Sequence, residues 1–232
     1  MKRLFILLLF FCLMVAVPLA NADVVSDTVL SLWGFNFNGI VQADYPPVTP
    51  GPPPPEWSAN YSGFDFNSGF GSIVFQLNPT VAGSYYFVAF FDHDIGPFPL
   101  DSNTGFPHGV LPPGASWQIG PPGYPGDGGD TYFMFLANTL TNTSEIDPGE
   151  YGDVSAALGW VLNAGPGQPA VLTLTVSPTA PTSGFYLSEF DASTGDLLYI
   201  SGQTGIPEPG TLLLLGTGLL GVAGTIRRRL PF

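Results

Sequence analysis

The sequence predicts an all-β fold, an antiparallel β-sandwich, held between two apolar ends, and three observations lead there. Short runs rich in Val, Ile, Thr, Tyr and Phe recur along the chain, each bounded by Gly, Pro, Asn or Asp. One of them, Val171 to Val176, alternates strictly: Val171, Thr173 and Thr175 oppose Leu172, Leu174 and Val176, so one face is wet and the other packed. Apart from the two ends, no long segment carries apolar residues at the helical period.

The first element is not part of that fold. Lys2 and Arg3 form a basic start, Leu4 to Val17 an apolar stretch without a polar face, and Ala20 and Ala22 occupy the small-residue positions of an A-x-A cleavage site. This is the layout of a secretory signal peptide over residues 1–22, cut by signal peptidase after Ala22 to leave Asp23 as the mature start. Phe11 is too bulky to precede a lipidated cysteine, so Cys12 is not read as a lipoprotein site.

Residues 23–205 form the exported domain. Its expected strands are TVLSLWGFNF, GSIVFQL, SYYFVAFF, SWQI, TYFMFLA, VSAALGWVL, AVLTLTVS, GFYLSEF and DLLYIS. In EFDASTGDLLY two of them are joined by a turn in which Gly195 is free to take positive φ. Tyr45 to Trp57, YPPVTPGPPPPEW, cannot pair within a sheet and is expected as a stiff polyproline II surface loop. A second irregular stretch, rich in Gly and Pro, runs from Asp92 to Asp130; a loop of that length is more often functional than filler.

The last element is again apolar. Leu212 to Ile226 contains only Leu, Gly, Thr, Val, Ala and Ile, and is followed by Arg227, Arg228 and Arg229. A helix begun at Thr211 would span roughly 24 Å by Ile226, a short transmembrane length for a core of about 30 Å. The arginines act as a cytoplasmic stop and place the body outside. Pro207 and Pro209 cannot continue the helix inward, so its boundary is sharp.

The order Pro207, Glu208, Pro209, then a Gly-interrupted apolar helix, then an arginine cluster resembles the PEP-CTERM sorting signal of exported proteins in Gram-negative bacteria that make extracellular polysaccharide. The resemblance covers residues 206–232. It implies that exosortase, a membrane-embedded cysteine protease-transpeptidase, recognises the tripeptide and removes the helix. A permanent tail anchor would account for the helix and the charges but not for the tripeptide. The departure from the family is that Leu230, Pro231 and Phe232 trail the arginines. YYFVAFFDHDI, YGDVSAALGW and SPTAPTSGFYLSEFDASTGDLLYISG also resemble, in order and spacing, a recurrent exported domain found upstream of such signals. That likeness runs from Ile73 to Gly202; it implies one β domain and brings no activity with it.

Charge narrows the partners. All five basic residues lie in the two end segments, and none lies between Asp23 and Ile206, whereas seventeen of the eighteen acidic residues, all but Glu208, lie in that interval. Nucleic acid is excluded as a partner because binding it requires cations to neutralise phosphate, and anionic lipid surfaces are disfavoured for the same reason. Divalent cations and neutral sugars are the partners such a balance favours. With Cys12 removed the mature chain has no disulfide and no thiol nucleophile. Stability must come from a packed core, for which the remaining length and the aromatic content suffice.

Asp92 and Asp94 are two apart, so on a strand both carboxylates project from one face with His93 on the other. Asp101, Asn103, Asp127 and Asp130 follow in the Gly/Pro loop, and oxygen-only ligands on a loop suit calcium. No EF-hand or nonapeptide repeat is present, and Asp is a common turn former, so solvated turn carboxylates are the competing reading. His93 and His108 lack a third zinc ligand. Asp92 with Glu145 is the carboxylate pair a glycosidase reading would need, and no G-x-S-x-G, H-E-x-x-H or phosphate loop occurs. Trp33, Trp57, Trp117 and Trp160 are either core or a sugar-stacking platform, with Trp57 beside the proline run the candidate for exposure.

The resulting expectation is a non-enzymatic surface or exopolysaccharide-matrix protein, exported across the inner membrane, held there transiently by its C-terminal helix and processed by exosortase. No cofactor other than calcium is expected. The rival readings are a calcium-dependent glycan-binding module and a glycosidase-like enzyme.

Overall fold

The computed structural model describes residues 28–46, 48–96, 102–123, 130–147 and 149–205. Strands β1 (Val29–Phe37), β2 (Ile40–Asp44), β5 (Gly83–Asp94), β7 (Ala115–Gly120), β8 (Thr143–Ser144) and β9 (Ser155–Ala164) build one sheet in the order β2-β1-β5-β9-β7-β8. Strands β3 (Trp57–Asp65), β4 (Phe70–Leu77), β6 (Asn103–His108), β10 (Ala170–Ser177), β11 (Tyr186–Asp191) and β12 (Leu197–Gly205) build the other, in the order β3-β4-β10-β12-β11-β6. Every pairing is antiparallel except the two-residue contact of β7 with β8. The two sheets face each other across one large apolar core, the arrangement of a sandwich.

That core follows from strand alternation. In β10, Leu172, Leu174 and Val176 are buried while Thr173 and Thr175 are half-exposed, as the sequence pattern predicts. In β5, Phe87, Ala89 and Phe91 point between the sheets, and so does His93. In β1 the phase changes: Leu30 and Trp33 both enter the core although they are three apart, because the pairing with β5 slips between Leu30 and Leu32. Rings from both sheets interlock, with Phe35 against Phe75 at 5.1 Å and Phe75 against Phe87 at 4.6 Å between centroids.

TYFMFLA is not a strand. Thr131–Ala137 is a seven-residue helix, α1, laid over the outer face of the first sheet. Asp130 caps its start by accepting from the Phe133 N–H, and Asn138 ends it in the left-handed conformation. Phe135 packs on Leu32, Val88, Phe90 and Ala157, and Asn36 donates to the carbonyls of Phe135 and Leu136. The middle of β5 is therefore buried on both faces, which is why YYFVAFF reads as an unbroken apolar run. Gly34 lies beneath the helix, where a Cβ would stand 2.6 Å from the Phe135 ring.

All four tryptophans are buried, Trp57 included, so of the two alternatives they take the core and form no stacking platform. One further expectation needs correction. The stretch from Asp92 to Asp130 is not continuously irregular, since it contains β6 as well as β7. The described residues of the proline run stay out of the ladders except Trp57 at its end, which opens β3 and pairs with Leu77. The run lies against the first sheet, where the Trp33 Nε1 donates to the Val48 carbonyl and Gln42 to that of Pro52. Among the described residues no helix is long and apolar enough to cross a membrane; the expected signal segment and C-terminal helix lie outside those residues.

Candidate metal centre

At one end of the sandwich the register of β5 against β9 collects acidic groups. Asp92 pairs with Ser155, and the same antiparallel register continued by two residues sets Asp94 opposite Asp153, just ahead of β9. On this strand Asp92 and Asp94 share the outer face while His93 faces the core, as expected from their spacing. One oxygen each of Asp92, Asp94 and Asp153 lies within 4.8 Å of the others. At such a separation two carboxylate charges repel by roughly 3 kcal/mol at an effective dielectric of about 20.

The three are not equivalent. Asp92 is only 7 % exposed, and its Oδ1 has no hydrogen-bond partner among the described residues. Burial first, then the charges of Asp153, Asp94 and Glu189, push its carboxyl well above the usual range. Asp153 is half-buried and is raised to about 6 by burial and Asp94, against a backbone hydrogen bond at Val154. Asp94 accepts from the Ser31 hydroxyl of β1.

Behind Asp92, between the sheets, lies a second polar group. His93 Nδ1 stands 3.4 Å from Glu189 Oε2, longer than a good hydrogen bond, with both side chains enclosed. Burial raises the Glu189 carboxyl; His93 lowers it and Asp153 raises it further. Gly69, at φ +76°, closes over the imidazole, where a Cβ would stand 2.4 Å from Nε2. Asn103 is buried nearby in the chain path, bridged to Gly152, with no partner for either side-chain amide atom among the described residues.

The remaining sequence-predicted groups are used elsewhere or fall outside the described residues. Asp101 and Asp127 lie outside them. Asp130 serves as the cap of α1. Glu145 is raised by burial and by Asp130, and Asp92's charged neighbours are Asp153, Asp94 and Glu189, so the structure does not couple Asp92 with Glu145. His108 stacks on Tyr186 and bonds to Ser188, whereas His93 meets Glu189; neighbouring residues of β11 point to opposite faces, which keeps the two imidazoles apart. Asp153 escaped the sequence reading because its partners are some sixty residues away and meet it only through strand register. The one sequence signal was an aspartate directly before a strand-like run, in GDVSAALGW.

Ala20, Ala22, Pro207, Glu208, Pro209, Arg227, Arg228 and Arg229 also lie outside the described residues. For the C-terminal set a comparison of sequence speaks instead. The family described as the PEP-CTERM protein-sorting motif matches residues 205–229, a span that holds the tripeptide and all three arginines. No curated protein and no solved structure matches the chain.

Proposed function

We propose that this chain, which carries a PEP-CTERM protein-sorting motif, is a non-enzymatic component of the cell surface or exopolysaccharide matrix of a Gram-negative bacterium. The motif marks an exported protein sorted toward the cell surface and processed by exosortase, and it is the single observation that carries this reading. In the proposed route signal peptidase cuts after Ala22, the helix from Thr211 to Ile226 holds the chain in the membrane, and Arg227 to Arg229 anchor it at the cytoplasmic side. Pro207, Glu208 and Pro209 are then presented at the outer face for cleavage.

Two features support a matrix role for the body. Between Asp23 and Ile206 there is no Lys or Arg, which disfavours anionic partners and leaves neutral polysaccharide acceptable. The outward face of β10 and β12 presents Thr173, Thr175, Ser177, Tyr199, Ser201 and Gln203, uncharged groups of the kind that exchange hydrogen bonds with sugar hydroxyls.

The test is Glu208→Ala in a host that carries exosortase. The expected result is a longer, membrane-retained species, because the membrane helix and the arginine stop are intact while the recognised tripeptide is not. Neutral residues at Arg227 to Arg229 should instead weaken the position of the tripeptide. Identical mature mass and release for wild type and Glu208→Ala would leave a simple tail anchor as the better account.

A further inference from the structure

We propose that Asp92, Asp94 and Asp153 together bind a divalent cation of the calcium class at the end of the sandwich where β5 meets the segment leading into β9. Acidic residues often gather on surfaces without binding anything, and two features separate this group from that case. Asp92 is more than nine-tenths buried, is aimed into the cluster, and leaves Oδ1 without a hydrogen-bond partner among the described residues. A carboxylate withdrawn from water needs a counter-charge or donors, and the interval from Asp23 to Ile206 has no Lys or Arg to supply either. The nearest imidazole, His93, faces the other side of the strand and meets Glu189. A bound cation supplies the missing charge from outside the chain.

The donor set selects the ion. All three donors are carboxylate oxygens, which suit hard cations and not zinc or copper. Two oxygens on opposite sides of a calcium ion lie about 4.6–5.2 Å apart, twice the Ca–O bond, and those of magnesium only about 4.0–4.2 Å apart. Oxygens that all lie within 4.8 Å of one another can stand around one calcium ion, whereas magnesium, which demands near-ideal octahedral geometry and gives up its water reluctantly, is the poorer match to an all-protein carboxylate set. Three carboxylates fall short of a full shell of six to eight oxygens, so water completes it and the affinity belongs with extracellular modules, about 10⁻⁴–10⁻³ M. Two of the ligands come from β5 and the third from the lead into β9, so the ion ties that lead to the sheet.

The proposal is independent of how the chain is sorted. Its test uses the full chain purified in detergent, stripped with a chelator, and titrated with calcium chloride alone and magnesium chloride alone, read by calorimetry and by melting temperature. Wild type should bind one calcium at this site, melt higher in its presence, and respond less to magnesium. Asp153→Asn, an isosteric change at a half-buried position, should fold and bind calcium at least about tenfold more weakly. Asp147→Asn, an exposed carboxylate outside the cluster, should keep the wild-type response. Absence of binding by wild type at about 10⁻² M calcium would overturn the site. So would binding by Asp153→Asn as tight as that of wild type, since the ion would then sit elsewhere.

Discussion

Asp92 carries the cost of its position alone, because every charged group that bears on it is negative: Asp94 on its own strand, Asp153 ahead of β9 and Glu189 on β11. The consequence for the cation-free protein has a definite sign. A carboxyl whose folded pKa lies above its unfolded value adds stability below the unfolded pKa and loses it as pH rises through the folded one. For Asp153 that window runs from 3.8 to about 6, and Asp92 and Glu189, both raised, extend the loss upward. In chelator the melting temperature should therefore fall as pH rises from 3.8 to about 6 and go on falling above that as Asp92 and Glu189 ionise. A melting temperature that is flat or rises over this range would show that the carboxylates are not held as the geometry implies. At this scale the sequence disclosed two of the three carboxylates of the site. Asp92 and Asp94 declare themselves by their spacing of two on a strand, whereas Asp153 is joined to them by a register that no local pattern encodes.

The elements follow the same division between local and tertiary signals. β10 was legible because one face is solvated and the other packed, so its alternation is visible in the residues themselves. The segment TYFMFLA was not, since a threonine followed by six apolar or aromatic residues suits a strand as well as a short buried helix; the deciding groups are the flanking caps Asp130 and Asn138. Trp57 was hard to place for a different reason, standing where a proline run gives way to a strand that turns its ring inward. Helix α1 is too short to be stable alone and depends on its cap and its one deep anchor. Asp130→Ala should cost about 0.5–2 kcal/mol by losing the cap, and Phe135→Ala about 3–5 kcal/mol by opening a cavity over Gly34. Urea unfolding of both variants measures this; a Phe135→Ala loss no larger than that of Asp130→Ala would mean the helix does not cover the sheet as described.

For the molecule as a whole, the three segments divide the work between physical problems. A charge-poor but acidic body with a large aromatic core folds without disulfides, which suits a chain whose only cysteine lies at position 12. The C-terminal sorting motif was legible because its signal is linear: a tripeptide, an apolar run and a basic cluster, matched over residues 205–229 without any need of tertiary structure. The role of the body was legible only as a class, because binding faces arise from register and packing. The central claim, that the chain is an exported protein cut at its C-terminal signal, is tested most directly by the intact mass of the mature protein from otherwise identical hosts with and without exosortase. The account predicts a mass that begins at Asp23 in both and that lacks the segment from Thr211 to Phe232 only where exosortase is present. The same C-terminal end in both hosts would contradict it.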